Sequence, residues 1–109
     1  MAVHNHELDT VFRALGDATR RDILARTVTD AISVTGLASR YDMSFAAVQK
    51  HVAVLENAGL INKTRAGRSR LVRADRERLA RARAALQQLE ALWHHRIHGL
   101  DAVLSDPQE

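Results

Sequence analysis

The sequence predicts a mainly α-helical single domain, residues 1–109, with one two-stranded β-hairpin set between helices. Three observations carry this expectation. Apolar residues recur at helical spacing through most of the chain. The one stretch whose period changes, Leu60 to Arg73, consists of two extended runs around a glycine turn. The single proline, Pro107, lies close to the C-terminal end, so nothing breaks the helical segments before it. With 46% apolar and 27% charged residues the chain has the balance of a folded domain, and with four aromatic residues its core has to be aliphatic. The absence of cysteine excludes a disulfide scaffold, a thiolate zinc site and a cysteine nucleophile. No apolar run approaches the roughly 18 residues of a membrane span. Met1–Thr10 lacks the apolar stretch of a signal peptide, so a cytoplasmic chain with no membrane partner is expected.

The elements follow in order. Leu8, Val11, Phe12 and Leu15 place a short helix over residues 7–15, ended by Gly16. Asp17 is a suitable N-cap for a second helix through Ile23, Leu24 and Val28. Thr27 to Val34 reads as a loop with room for a short extended piece. Gly36 to Arg40 is a helix of one to two turns, and Asp42-Met43 a tight turn. Ser44 caps a helix from Phe45 to Ala58 with Val48, Val52 and Leu55 on one face, and Gly59 stands where a helix C-terminus favours a positive φ. The hairpin, residues 60–73, turns at Gly67. Asp75 caps a long helix to about Leu104, making residues 75–104 the last element. Leu79, Leu86, Trp93 and Leu100 recur every seven residues along it, with Ala82, Leu89, Ile97 and Leu104 between them. A helix this long is not covered by so small a domain, and the seam predicts a homodimer interface; a core helix packed within its own chain is the alternative. The interface residues expected are Leu8, Phe12, Leu79, Leu86, Leu89, Trp93 and Leu100.

Charge sharpens the reading. Residues 63–83 hold nine basic and two acidic residues, a net +7, while the rest of the chain nets −4. Concentrated positive charge points to a polyanion, or else to a solvated arginine-rich surface. The element order decides in favour of DNA. A short helix and a capped helix joined by a tight turn, residues 36–58, form a helix-turn-helix, and a basic hairpin directly after it forms a wing. On the second helix Ala46, Lys50, Ala53 and Asn57 lie opposite the apolar face, with Gln49 on the flank. The small residues let the backbone approach the groove floor, Gln49 suits an adenine edge, and Lys50 a guanine or a phosphate. Ser44 sits where its hydroxyl and free backbone N–H groups meet a phosphate. His51 is placed at the helix edge as a polar contact. Lys63, Arg65, Arg68 and Arg70 of the wing complete the expected surface. Phe45 falls near the apolar face and is read as covering the edge of the core, with contact to a thymine methyl as the alternative.

Three runs of this sequence resemble a known family. Ala14-Leu15-Gly16-Asp17-Ala18-Thr19-Arg20-Arg21-Asp22-Ile23-Leu24 is similar to the opening signature LADPTRRRIL of the ArsR/SmtB repressors. Met43 to Ile61, with Ala47-Val48-Gln49-Lys50-His51-Val52 at its centre, is similar to their recognition-helix signature, and Arg65 to Arg70 resembles their wing tip. The resemblance implies a winged helix-turn-helix homodimer, with first and last helices at the interface, that represses by occupying an imperfect inverted repeat in a promoter. Ala18 departs from the usual proline and Gln49 from the frequent serine.

Many members of that family sense metals. The short-helix thiolate site requires cysteines where this chain has Gly36 to Asp42, so that site is absent. On the last helix His94, His98 and Asp101 share a face at i, i+4 and i+7, a spacing compatible with zinc or nickel, with His4 and His6 as further donors. These positions do not reproduce the family's ligand spacing, so no cofactor is expected and a metal-responsive repressor is the alternative. A small-molecule effector is left open. No nucleophile elbow, phosphate-binding glycine loop or H-E-x-x-H motif is present, so an enzyme is not expected. A sequence-tolerant architectural or protein-interaction winged helix is the other alternative.

Overall fold

The computed structural model describes residues 6–105, and side chains from His6 to Gly99. The chain runs α1 (His6–Leu15), α2 (Ala18–Thr27), β1 (Ile32–Ser33), α3 (Val34–Ala38), α4 (Phe45–Asn57), β2 (Ile61–Ala66), β3 (Ser69–Ala74) and α5 (Arg76–Ser105). The side chains of Leu100, Asp101 and Leu104, as well as His4 and Pro107, lie outside the described residues.

Three helix starts follow from local capping. The Asp17 carboxylate accepts the Arg20 N–H at 3.0 Å, the Ser44 hydroxyl accepts the Ala47 N–H at 3.0 Å, and the Asp75 carboxylate accepts the Arg78 N–H at 3.1 Å. The end of α4 is a Schellman turn: Leu60 N–H bonds the Leu55 carbonyl at 3.0 Å and Gly59 N–H bonds the Glu56 carbonyl at 2.9 Å. Gly59 adopts φ 76° there, and a Cβ on it would stand 2.7 Å from the Arg78 guanidinium.

The sheet corrects the expectation of a two-stranded wing at its base. Its order is β1-β3-β2, all antiparallel, because Ile32 and Ser33 pair with Val72 and Leu71. Ser33 also accepts the Gly36 N–H at 2.9 Å and thereby caps α3, which starts at Val34 rather than at Gly36. The β-branched run Ile32 to Val34 thus serves one strand and one helix at once. Beyond β1 the hairpin is two-stranded, with Arg65 opposite Arg70 and a two-residue loop carrying Gly67 at φ 63°.

Ile23, Leu37, Val48, Val52, Leu55, Leu60, Ile61 and Val72 form an aliphatic core drawn from α2, α3, α4 and the sheet, with Val11 and Ala14 of α1 closing one side. The one buried polar side chain described, Thr27, returns its hydroxyl to the Ile23 carbonyl at 2.8 Å. Tyr41 ties the turn between α3 and α4 to α2 by donating to Asp22 at 2.6 Å, while Arg26 binds the same carboxylate at 2.7 Å. Those two hydrogen bonds, Tyr41 first, hold the Asp22 carboxyl below its ordinary value, and burial together with Asp22 pushes the Tyr41 hydroxyl up to about 12.

Only the root of α5 packs on this domain. Ala82 is buried, Leu79 is half-buried against the core, and Arg78 and Arg81 reach Glu7 of α1 at 2.8 and 3.3 Å. Farther along, Leu86, Leu89, Leu92 and Trp93 are 53–63% exposed. The expected seam is therefore divided: Leu79 and Phe12 pack within their own chain, Leu8 is half-buried, and Leu86, Leu89 and Trp93 are uncovered.

Two outcomes test these contacts. Gly59→Ala destabilises by about 1–2 kcal/mol through its left-handed backbone alone, measured by urea unfolding. The stability that Asp22 contributes is present above its ordinary pKa near 3.8 and is lost as pH falls through the lowered value. Tyr41→Phe therefore loses less stability than the wild type between about pH 5 and pH 2, compared by urea midpoints at each pH.

Candidate nucleic-acid interface

The surface is built around α4. Its buried stripe, Val48, Val52 and Leu55, turns Ala46, Gln49, Lys50, Ala53 and Asn57 to the outside, and all five are exposed. The outward face thus presents two alanines between longer polar side chains, a profile narrow enough for a helix to enter the major groove. At its N-terminus the Ser44 hydroxyl is exposed and accepts from Ala47, which leaves its O–H proton available to an anion. The first backbone N–H groups of the helix face the same direction of approach.

Between α4 and the wing lies a cleft of about 340 Å³ whose walls include Phe45, Gln49, Lys63, Arg68 and Arg70. Phe45 is 47% exposed and lines the cleft beside Val52 of the core, so about half of the side chain is covered and the rest is presented to the cleft. Lys63 is the most covered of the wing cations and pairs with Glu56 at 3.3 Å.

The cations of the basic segment divide into two groups. Arg73 donates to the Thr29 carbonyl at 3.4 Å and Arg76 to the Val28 carbonyl at 3.1 Å, while Arg78 and Arg81 bind Glu7. These four hold the fold together. Arg65, Arg68 and Arg70 of the wing and Lys50 of α4 make no ion pair or side-chain hydrogen bond among the described residues. Arg65 directly opposes Arg70 across the hairpin. Like charges at facing positions destabilise a sheet, and an anion placed between them removes the penalty.

His51 has a role the sequence did not disclose. Its Nδ1 lies 3.2 Å from the Arg20 guanidinium and 3.7 Å from the Asp17 carboxylate. Arg20 also donates to the Ala14 carbonyl at 2.7 Å and the Arg13 carbonyl at 3.2 Å, and Arg21 donates to the Leu15 carbonyl at 2.7 Å. Together they satisfy the open end of α1 and fasten it to α4. The Arg20 backbone N–H is the main reason that the Asp17 carboxyl lies below the usual carboxylate range. Because only partner identity in three dimensions reveals it, Arg20 was not among the sequence-derived candidates. Gln49, Lys63, Arg68 and Arg70 line the cleft, Lys50 lines a separate depression beside Thr10 and Arg13 of α1, Ser44, Ala46 and Arg65 are exposed, and His51 is half-buried.

On α5, His94 and His98 are exposed, and His94 lies 4.0 Å from Glu90. Among the described residues no three His, Asp or Glu side chains group to hold a metal ion. Asp101, the third member of the expected set, lies outside the described side chains.

A groove-sized helix, an anion-ready N-terminus and a wing of unpaired arginines define a winged helix-turn-helix DNA-binding domain. A family profile described as a helix-turn-helix domain matches residues 15–64. The HTH-type transcriptional regulator YuzN of Bacillus subtilis is 40% identical over 75 residues, covering 62% of this chain and 82% of that protein. An ArsR-like transcriptional regulator from Rhodococcus sp. RHA1 superposes with a TM-score of 0.79 at 32% identity, over 90% of this chain and 92% of that one. The homodimeric winged helix-turn-helix domain of Mb0332 from Mycobacterium bovis matches with a TM-score of 0.65 at 25% identity, over 87% and 96% of the two chains. The chain belongs to the ArsR family of helix-turn-helix transcriptional regulators.

The division among the arginines has a direct measurement. Arg68→Ala weakens binding to all duplexes and lowers the slope of log K against log salt by about one. Arg76→Ala leaves that slope unchanged, and Gln49→Ala alters base preference instead, read by titrating fluorescent duplexes at several salt concentrations.

Proposed function

We propose that the chain is a homodimeric repressor that occupies an imperfect inverted repeat in a promoter and so excludes the transcription machinery. The observation that carries the dimer is the uncovered apolar face of α5. Leu86, Leu89, Leu92 and Trp93 stand more than half exposed on a helix whose root alone meets its own domain. Large apolar side chains grouped along one helix call for a partner surface, and a second copy supplies the same seven-residue repeat. The homodimeric state of the Mb0332 domain supports this reading. Two recognition helices related by a two-fold axis then read two half-sites, and the wing arginines fix their register on the phosphates. A DNA partner supports a cytoplasmic location. The proposal needs no resident cofactor. Zinc or nickel at His94 and His98 enters only as an effector, and titration calorimetry of the dimer with each ion decides that point.

Light scattering of the purified protein is expected to give twice the chain mass of 12.1 kDa. Trp93→Glu shifts it towards monomer and weakens operator binding by about 10²-fold or more, because two linked half-sites become two separate events. Footprinting on the DNA upstream of its own gene is expected to show a protected inverted repeat with half-sites about one helical turn apart, or a multiple. Length-dependent binding without a footprint establishes a sequence-tolerant architectural role instead.

A further inference from the structure

We infer that Phe45 reads the C5-methyl group of a pyrimidine in the major groove, and so is a specificity-determining residue of the recognition helix. The inference rests on the promoter-binding reading above and names one of the groups that the surface recognises.

Phe45 is the first residue of α4, directly after its Ser44 cap. It is 47% exposed, in a chain with four aromatic residues and an otherwise aliphatic core to which it does not belong. Its side chain helps wall the cleft that also holds Gln49, Lys63, Arg68 and Arg70. The one cation–ring pair among the described residues is Arg26 over Tyr41, so no wing arginine covers the Phe45 ring. About half of an apolar side chain is thus exposed to water beside Lys63, Arg68 and Arg70. In the major groove, the apolar group on a base edge is the C5-methyl of thymine, or of 5-methylcytosine where cytosine is modified. Besides Val34, which is half-buried, and Val52, which is buried in the core, the other side chains of the cleft are polar or basic and suit acceptors and phosphates, which leaves Phe45 as the one large apolar side chain that α4 exposes there.

Its spacing adds a constraint. Phe45 and Gln49 stand one turn apart on the same flank, about 6 Å along the helix axis. Base pairs repeat about every 3.4 Å. The methyl read by Phe45 therefore lies within about two base pairs of the base read by Gln49.

The experiment starts from a duplex selected out of random-sequence DNA by the wild-type protein. Each thymine in the selected half-site is replaced singly by deoxyuracil, which removes only the methyl. Wild type is expected to lose about four- to tenfold in affinity at one position. Phe45→Ala, checked for folding by thermal melting, binds the thymine and uracil duplexes equally there, while Phe45→Leu keeps part of the difference. That position is expected within about two base pairs of the one whose preference Gln49→Ala relaxes. If the sensitive position carries a C·G pair instead, replacement of cytosine by 5-methylcytosine raises wild-type affinity and not that of Phe45→Ala, which identifies the modified base as the source of the methyl. A selected consensus with equal methyl sensitivity in wild type and Phe45→Ala, or with none in either, overturns the inference and leaves the promoter-binding reading standing. Selection without any consensus overturns both.

Discussion

The placement of the recognition helix depends on one side chain, Arg20. From the first turn of α2 its guanidinium reaches the carbonyls of Arg13 and Ala14 at the end of α1 and the ring of His51 on α4. A helix C-terminus leaves carbonyl groups without partners, and a buried end without them is costly. Arg20 and Arg21 satisfy three such carbonyls in succession. Because the same cation touches α4, capping α1 and orienting the DNA-reading helix are one event. The resemblance to the family's opening signature has its physical content here: aspartate starts α2, and the paired arginines two and three residues into the helix finish α1.

Charge in this molecule does two different jobs that composition cannot separate. Arg73, Arg76, Arg78 and Arg81 are bound to carbonyls or to Glu7 and act as internal fasteners between α1, α2, β3 and α5. The wing arginines face outward at the tip of a hairpin, where Arg65 and Arg70 oppose one another. Of the +7 in residues 63–83, a part is offset by Glu7 beside Arg78 and Arg81, whereas Arg73 and Arg76, bound to neutral carbonyls, keep their charge.

What was legible in the sequence is what depends on near neighbours. Asp17, Ser44 and Asp75 cap within three residues of themselves, and Gly59 follows from the demand of a helix end for a left-handed residue. The helix-turn-helix, the hairpin and the outward face of α4 follow from such local rules plus apolar period. Strand β1 did not, since two residues become a strand only through pairing with Val72 and Leu71 some 40 positions away. Ser33 was missed as a cap for the same reason, because the strand before it hides the helix after it. For Phe45 a helical wheel gives the angle but not how much of the ring the domain's edge covers. The role of His51 needed the position of Arg20, which no period reports.

The root of α5 gives the molecule a mechanical property. Arg78 lies directly beneath Gly59 at the end of α4 and is also tied to Glu7 of α1. The long helix is thus clamped at the point where the recognition helix ends, and the remainder projects freely. In a dimer joined through α5 this arrangement is a lever with its pivot at Arg78. A tilt of about 10° at the pivot, acting over ~30 Å of helix, displaces the far end by about 5 Å. That is more than the ~3.4 Å separating successive base pairs. In such a dimer the tolerance to half-site spacing would follow from how firmly Arg78, Arg81, Leu79 and Ala82 together hold the root of α5.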